Sequence, residues 1–420
     1  MDTSSAAKLL LDELFANKEC YCKHEGYQKK CMYSSGLSAN RLLQLERNDP
    51  DLDGLMLTGS DWIDGAGRVF GDNTSLNRVC IFDARGDKTW LKDLYRGLSR
   101  NRTIENFSLE SSSLCKSDPD IFSLLSPFFE HNSNLRCIDV SLLNLGSFAT
   151  SLSHCKMGLL EYINVTSHGG SEVDAVTLFG TLNYQPKVTD FTFRMYRSTD
   201  SIGVDSITIL KNALNKYNSV LHLILRLEMT DAGWAIFSSV LSHPQCSIQA
   251  LEIEAKRVNV IHLARVLASN NSLRHLYVTC DRSVKVSENC WGVISRALCD
   301  TSSASSTFSS NHMLHKLVVS RVISMRDEIY DDKPIPSDVA LLLEMNKTED
   351  KAKVARQKII KYHFSGEGRD IHAFARMPST TLPIAIEWIG RNRTEFTLMY
   401  EVVRVIPALF ERLACGVEDY

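Results

Sequence analysis

One arrangement of apolar residues recurs along the chain: an apolar position, two spacers, a second apolar position, one spacer and a third. It occurs at Leu52/Leu55/Leu57, Leu76/Val79/Ile81, Ile104/Phe107/Leu109, Leu135/Ile138/Val140 and Leu160/Ile163/Val165. It continues at Val188/Phe191/Phe193, Val220/Leu223/Leu225, Ile248/Leu251/Ile253, Leu273/Leu276/Val278 and Leu314/Leu317/Val319. Successive first positions stand 24 to 32 residues apart, except for a last interval of 41. The second and third positions are two residues apart, so on a strand they face the same side. The first fills the same core from the turn that enters the strand. One such strand cannot bury its apolar side alone, whereas stacked copies share a continuous core.

A helical period lies between the strands. Leu91/Leu94/Tyr95/Leu98, Ile121/Leu124/Leu125/Phe128, Ala175/Leu178/Phe179/Leu182 and Val260/Leu263/Ala264/Leu267 each follow i, i+3, i+4, i+7, the stripe of a short helix. An Asn stands three residues before the first apolar position at Asn73, Asn101, Asn132, Asn270 and Asn311. Asn tolerates left-handed backbone and bonds nearby backbone groups, so it suits the turn that ends a helix. The three patterns agree in register.

Segments such as Asn101–Leu109 and Asn270–Val278 resemble leucine-rich repeats. The repeat lengths and helical connectors resemble the ribonuclease-inhibitor-like subclass, across roughly residues 50 to 320. The resemblance implies an α/β leucine-rich-repeat solenoid, a horseshoe with parallel strands on the concave face and helices on the convex face. It also implies a protein partner on the concave face. The chain departs from the family three residues beyond the third apolar position. Asn or Cys is usual there, and Leu143, Glu228 and Lys256 stand in their place.

The ends of a solenoid need capping. Residues 1–50 are expected to form an N-terminal helical cap, residues 51–330 about ten repeats, and residues 331–420 a helical C-terminal cap domain. Within the last connector, the Ser-rich run 301–310 is expected to be a flexible insertion. In the C-terminal cap, Val339/Leu342/Leu343 begins a helix and Lys351 to Tyr362 is basic and amphipathic. Further helical patterns cover Leu382 to Ile389 and Glu395 to Leu413.

Composition narrows the function classes. Lys+Arg 47 against Asp+Glu 50 gives a formal net charge of -3, so the whole molecule has no field for phosphate and nucleic-acid binding is not expected. No apolar stretch is long enough to span a membrane. Met1 to Phe15 lacks a basic region followed by an apolar run, so an intracellular chain, cytoplasmic or nuclear, is expected. The 12 cysteines stand at irregular spacing and fit buried thiols.

Candidate chemistry is sparse. Asp49-Pro50-Asp51-Leu52-Asp53-Gly54 matches the opening of a calcium loop, but Ser60 stands where the bidentate Glu belongs. Cys20, Cys22, His24 and Cys31 cluster without the two spaced pairs that zinc favours. Gly65-Ala66-Gly67-Arg68-Val69-Phe70-Gly71 resembles a dinucleotide loop, but only four residues separate it from Leu76, so it reads as a turn. His312 and His315 read as a surface pair at the start of a strand. No GxSxG, HExxH or GxxxxGK[ST] motif occurs. No cofactor, no metal and no enzymatic activity are expected.

Residues alternating with the core positions should line the concave face. They are Arg78/Cys80/Phe82, Asn106/Ser108/Glu110, Cys137/Asp139/Ser141, Tyr162/Asn164/Thr166, Asp190/Thr192/Arg194, His222/Ile224/Arg226, Ala250/Glu252/Glu254 and His275/Tyr277/Thr279. Both charge signs are mixed there with aromatic rings, which suits a protein surface better than a phosphate backbone. The expected partner-binding residues are Tyr162, Asn164, Arg194, His222, Arg226, Glu252 and Tyr277. The function that follows is a non-catalytic scaffold or adaptor for another protein. The alternatives are a regulatory factor, such as a GTPase activator or ubiquitin-ligase substrate receptor, and a metal-dependent enzyme.

Overall fold

Each copy of the apolar triplet becomes a strand, and within each of two compact units the strands stack in sequence order. The computed structural model describes residues 34–35, 39–58, 63, 65–82, 89–111, 123–142, 145–153, 159–169, 171–196, 201–255, 260–280, 288–324 and 329–364. The chain divides into two compact units, residues 1–143 with 154–160, and residues 144–153 with 161–420. In the first unit β1 (Ser34–Ser35), β2 (Gly54–Thr58), β3 (Arg78–Phe82), β4 (Asn106–Ser111) and β5 (Cys137–Leu142) pair in that order, all parallel. Between them lie helices α1 (Ala39–Glu46), α2 (Ala66–Asp72), α3 (Thr89–Leu98) and α4 (Ser126–His131).

The second unit begins with α5 (Gly146–Ser153). It alternates β6 (Tyr162–Ser167), α6 (Glu172–Leu182), β7 (Asp190–Met195), α7 (Val204–Tyr217), β8 (His222–Arg226), α8 (Asp231–Leu241), β9 (Ala250–Ala255), α9 (Val260–Ser269) and β10 (His275–Cys280). There follow α10 (Glu288–Leu298), α11 (Ala304–Phe308), β11 (Lys316–Ser324), β12 (Ile329–Asp332), α12 (Ser337–Met345) and α13 (Lys351–Ile359), which runs into a π-helical turn at Ile360–Phe364. Strands β6 to β11 pair in order and parallel, and β12 returns antiparallel to β11. The architecture is the expected α/β leucine-rich-repeat class.

Register is what makes the repeat a core. In the second unit Ile163, Phe191, Leu223, Leu251, Leu276 and Leu317 lie opposite one another along one line. Val165, Phe193, Leu225, Ile253, Val278 and Val319 form a second line. In the first unit Leu55, Val79, Phe107 and Ile138 are likewise in line. All of these residues are buried, as are the first-position residues Leu52, Leu76, Ile104, Leu135, Leu160, Val188, Val220, Ile248, Leu273 and Leu314. Burying each such side chain is worth about 1.5–3 kcal/mol. The helices complete the core from one side of the sheet: Phe107 on β4 meets Phe128 and Phe129 of α4, with ring centroids 5.4 and 6.0 Å away.

The asparagines do more than end helices. Asn73 and Asn132 adopt φ of -74° and -88°, so left-handed backbone is not their role. Their buried side chains join one repeat to the next. The Nδ2 of Asn101 donates to the carbonyls of Phe70 (2.8 Å) and Asn73 (2.9 Å), while its Oδ1 accepts from the amides of Thr103 (2.8 Å) and Ile104 (3.2 Å). Asn73 reaches Leu45 O at 2.7 Å and Asn132 reaches Ile104 O at 2.9 Å. In the second unit Asn270 donates to Leu241 O (2.5 Å), and Asn311 to Leu267 O (2.7 Å) and Asn270 O (2.9 Å). A further member, Asn346 at the end of α12, donates to Leu314 O at 2.7 Å and continues the series past the last repeat.

Two of the connectors between strands differ from the sequence expectation, and so do the expected helical ends, which hold β1 and part of β12. Residues 66–72 form α2 rather than a turn. The segment is short enough to fit because it packs against α3 with almost no side chain between: a Cβ on Gly67 would run into the Asp93 carbonyl, and one on Gly97 into the Gly67 carbonyl. The Ser-rich run contains α11, started by Ser303, whose hydroxyl accepts from the Ser306 amide at 3.0 Å, and it buries Thr307. The cysteine cluster at residues 20–31, Leu143, Ser60, Lys256 and the helical patterns beyond residue 364 lie outside the described residues.

His312 is half-buried rather than one of a surface pair. It faces Lys358 of α13, which is fully buried. The Lys358 Nζ lies 2.6 Å from Leu298 O, 3.0 Å from Asn311 O and 3.2 Å from His312 Nδ1. His312 Nε2 lies 2.9 Å from Phe308 O, so the ring carries its proton on Nε2 and accepts from Lys358 through Nδ1. Burial, then the field of Lys358, pushes His312 down to about 4, and burial pushes Lys358 down to about 7.

Two outcomes are expected. Asn101→Ala strands two carbonyls and two amides in the core, and urea unfolding should show a loss of about 3 kcal/mol. The neutral His312 ring is the form the fold holds, so its contribution is complete above pH 6.5 and is lost as pH falls toward about 4. Stability followed by calorimetry should decline over that window by about 3 kcal/mol more in the native chain than in His312→Gln.

Candidate functional site

The side of the sheet away from the helices in the second unit forms three rows of side chains. Strand alternation sends every second residue there, and the burial of β9 (half-exposed, buried, repeated) follows it. Parallel register aligns Tyr162, Asp190, His222, Ala250, His275 and Lys316 in one row. Asn164, Thr192, Ile224, Glu252, Tyr277 and Val318 make the second, and Thr166, Arg194, Arg226, Glu254, Thr279 and Ser320 the third. All the residues expected to bind a partner stand in these rows.

Cross-strand bonds tie most of them to one another. The Arg194 Nη1 donates to Asn164 Oδ1 at 2.9 Å, and His222 Nδ1 lies 2.6 Å from Asp190 Oδ1. Arg226 is the centre of the largest group. Its guanidinium donates to Glu252 Oε1 through Nη2 (2.9 Å) and to the Tyr196 hydroxyl through Nη1 (3.1 Å), and it lies 3.1 Å from Glu254 Oε2. Its side chain is only 14% exposed, so these contacts act with little solvent screening. Tyr277 lies beneath Lys316, whose Nζ is 5.2 Å from the ring centroid. Tyr162 stands at the β6 end of the first row, half-buried.

Sequence reading passed over several neighbours. Tyr196 stands just past β7 and stacks on His168, with centroids 5.5 Å apart and planes at 19°. Both lie beyond the strand positions that the repeat defines. Lys316, Val318 and Ser320 belong to the last copy of the triplet, and extending the same alternation to it finds them. His315 meets His275 edge to face at 4.7 Å. Burial, then the fields of His275, Lys351, Arg274 and Lys347, lowers the His315 pKa.

Two acids of the turn after α1 are bonded within the fold. Asp49 accepts from the Asp51 amide (3.0 Å) and Gln44 Nε2 (3.3 Å), and Asp53 pairs with Arg78 at 2.5 Å. Among the described residues no group of three or more His, Cys, Asp or Glu could hold a metal ion, and no helix is long and apolar enough to cross a membrane.

No family model and no curated protein matches the chain. Among solved structures, the chain is similar to leiomodin-1 actin-binding site 2, with a TM-score of 0.26 and 12% identity over 50% of this chain and 90% of that one. It is also similar to the tropomodulin C-terminal domain of Caenorhabditis elegans, with a TM-score of 0.26 and 12% identity over 48% of this chain and 89% of that one. Likenesses of that size carry no argument about function.

The Arg226 group should respond as a unit. Arg226→Met leaves two confined carboxylates without their cation and should cost about 2 kcal/mol in denaturant unfolding. Adding Glu254→Gln should recover part of the loss; simple addition of the two single effects would show that the groups are uncoupled.

Proposed function

We propose that the chain is a non-catalytic scaffold or adaptor of the ribonuclease-inhibitor-like leucine-rich-repeat kind. In this reading it takes a partner protein on the three-row face of the second unit. The observation that carries the reading is the cross-strand bonding of that face. Asn164, Arg194, His222, Arg226 and Glu252 stand on strands and are held by neighbours. Side chains already fixed lose little freedom when a partner arrives, which favours recognition.

The chemistry of the rows supports the same reading. Ile224, Tyr277 and Val318 are half-exposed in the middle row and supply apolar contact. Charged and polar residues of both signs flank them, as in the rim of a protein interface. Tyr162 and Tyr277 are the aromatic anchors, and the bonded pairs set the charge pattern that a partner must match.

Affinity capture from a native extract, with three variants run in parallel, tests this. Ile224→Asp and Tyr277→Ala should each lose the partner that the native chain retains. Val173→Asp, at a position 71% exposed at the start of α6, should retain it. Circular dichroism checks that all three fold. Retention of every partner by both face variants would refute the proposal.

A further inference from the structure

Basic side chains from three elements, Arg274, Lys316, Lys347 and Lys351 among them, converge at the edge where β10 and β11 begin, with two histidines between them. Arg274, exposed, immediately precedes β10, and His275 opens it. His315 immediately precedes β11, and Lys316, exposed, opens it. The amides of His315 and Lys316 both bond to the Arg274 carbonyl, at 3.0 and 3.1 Å, so the four side chains spring from one knot of backbone. The turn after α12 adds Lys347, and the start of α13 adds Lys351, whose Nζ donates to the Asn346 and Thr348 carbonyls at 2.8 and 3.0 Å. The bond from Asn346 to Leu314 O sets that turn beside the entry to β11. From there Lys347 and Lys351 act on His315, and Arg274 acts on Lys351.

Few carboxylates offset this group. Glu344 pairs with Lys347 at 2.6 Å, and Glu349 acts on Lys351. Asp350 is engaged elsewhere, capping α13 through the Lys353 amide and lying 3.7 Å from Arg356. The nearby acids of the face, Glu252 and Glu254, belong to Arg226. Crowding like charges costs stability, and an anion from outside would relieve it.

We propose that this edge binds an acidic peptide segment, rich in Asp and Glu, of the protein partner. The proposal rests on the reading of the face as a partner site and names the chemistry of what docks at one end of it. Arg274 offers a planar fork that matches a carboxylate, and Lys316 supplies an exposed point charge. A nucleic-acid strand fits worse. Running along the face it would meet Glu252 and Glu254 on β9, and beside the middle of β11 it would meet Asp331 and Asp332. A short peptide confined to the edge avoids them.

The test uses the full chain and a fluorescein-labelled octaglutamate peptide, followed by anisotropy at about 50 mM salt, where screening is modest. An octaglutamine peptide, a duplex DNA and a vesicle carrying anionic lipid serve as competing probes. Octaglutamate should bind, octaglutamine should not, and Arg274→Glu combined with Lys316→Glu should weaken binding roughly tenfold or more while the chain stays folded by circular dichroism. Val173→Asp, away from both the edge and the face, should leave peptide binding unchanged. Equal binding of octaglutamate by the native chain and the double variant would overturn the proposal, as would tighter binding of DNA or vesicle than of peptide. Should the double variant keep the captured partner while Ile224→Asp loses it, this proposal fails and the face remains the partner site. Loss of the partner by neither refutes the face.

Discussion

A buried side-chain amide that serves two repeats at once is the constraint on which the stacking depends. Where a helix gives way to the next strand, the backbone must turn inside the core, and its amides and carbonyls lose water there. Asparagine solves the problem twice over. Its oxygen accepts from the turn that it begins, and its nitrogen donates to the turn of the repeat before, as Asn101 does between Thr103 and Asn73. No aliphatic residue of similar size satisfies those groups. The hydrophobic lines supply most of the driving force and oppose a one-residue slip, and the amides add a second, directional lock on the same register. Where the repeat places other residues, different bonds appear: at the end of α7 the Tyr217 hydroxyl donates to Asn183 O at 3.0 Å.

That rigidity carries through to the face of the second unit. The strands fix backbone spacing, and the spacing lets Arg226 reach one strand toward β9 and also the tyrosine beyond β7. A side chain held at several points presents a defined pattern of charge. A flexible surface of the same composition would have to order itself on contact. The same spacing concentrates cations at the edge of β10 and β11, because consecutive repeats there begin with basic residues in adjacent positions.

The parts of this architecture legible from residues were those with a period. Strands, register and the asparagine positions all repeat, so each copy supports the others. Asn346 escaped notice because no strand triplet follows it. The helix at residues 66–72 escaped because Gly-rich sequence reads as a turn, and only the close passage of Gly67 and Gly97 makes a helix there favourable. The Ser-rich run conceals a helix because hydroxyl side chains have little helix preference of their own, and burial of Thr307 decides the matter. Lys358 and His312 are 46 residues apart, and no local pattern announces their contact. The seven face residues were found by alternation. Their mutual bonds were not, since lateral neighbours depend on connectors of unequal length.

The reversal at β12 has a consequence for assembly. A parallel array has no intrinsic last member, and its final strand would offer a row of unpaired backbone groups to any extended chain nearby. Here the polypeptide itself occupies that position, running the opposite way and secured by the Ser320 hydroxyl on Asp332 at 2.6 Å. Asp331 and Asp332 are exposed on that strand, and an incoming strand would have to desolvate them. Among the described residues the sheet thus ends on a short, charged strand, a border that disfavours the addition of another extended chain.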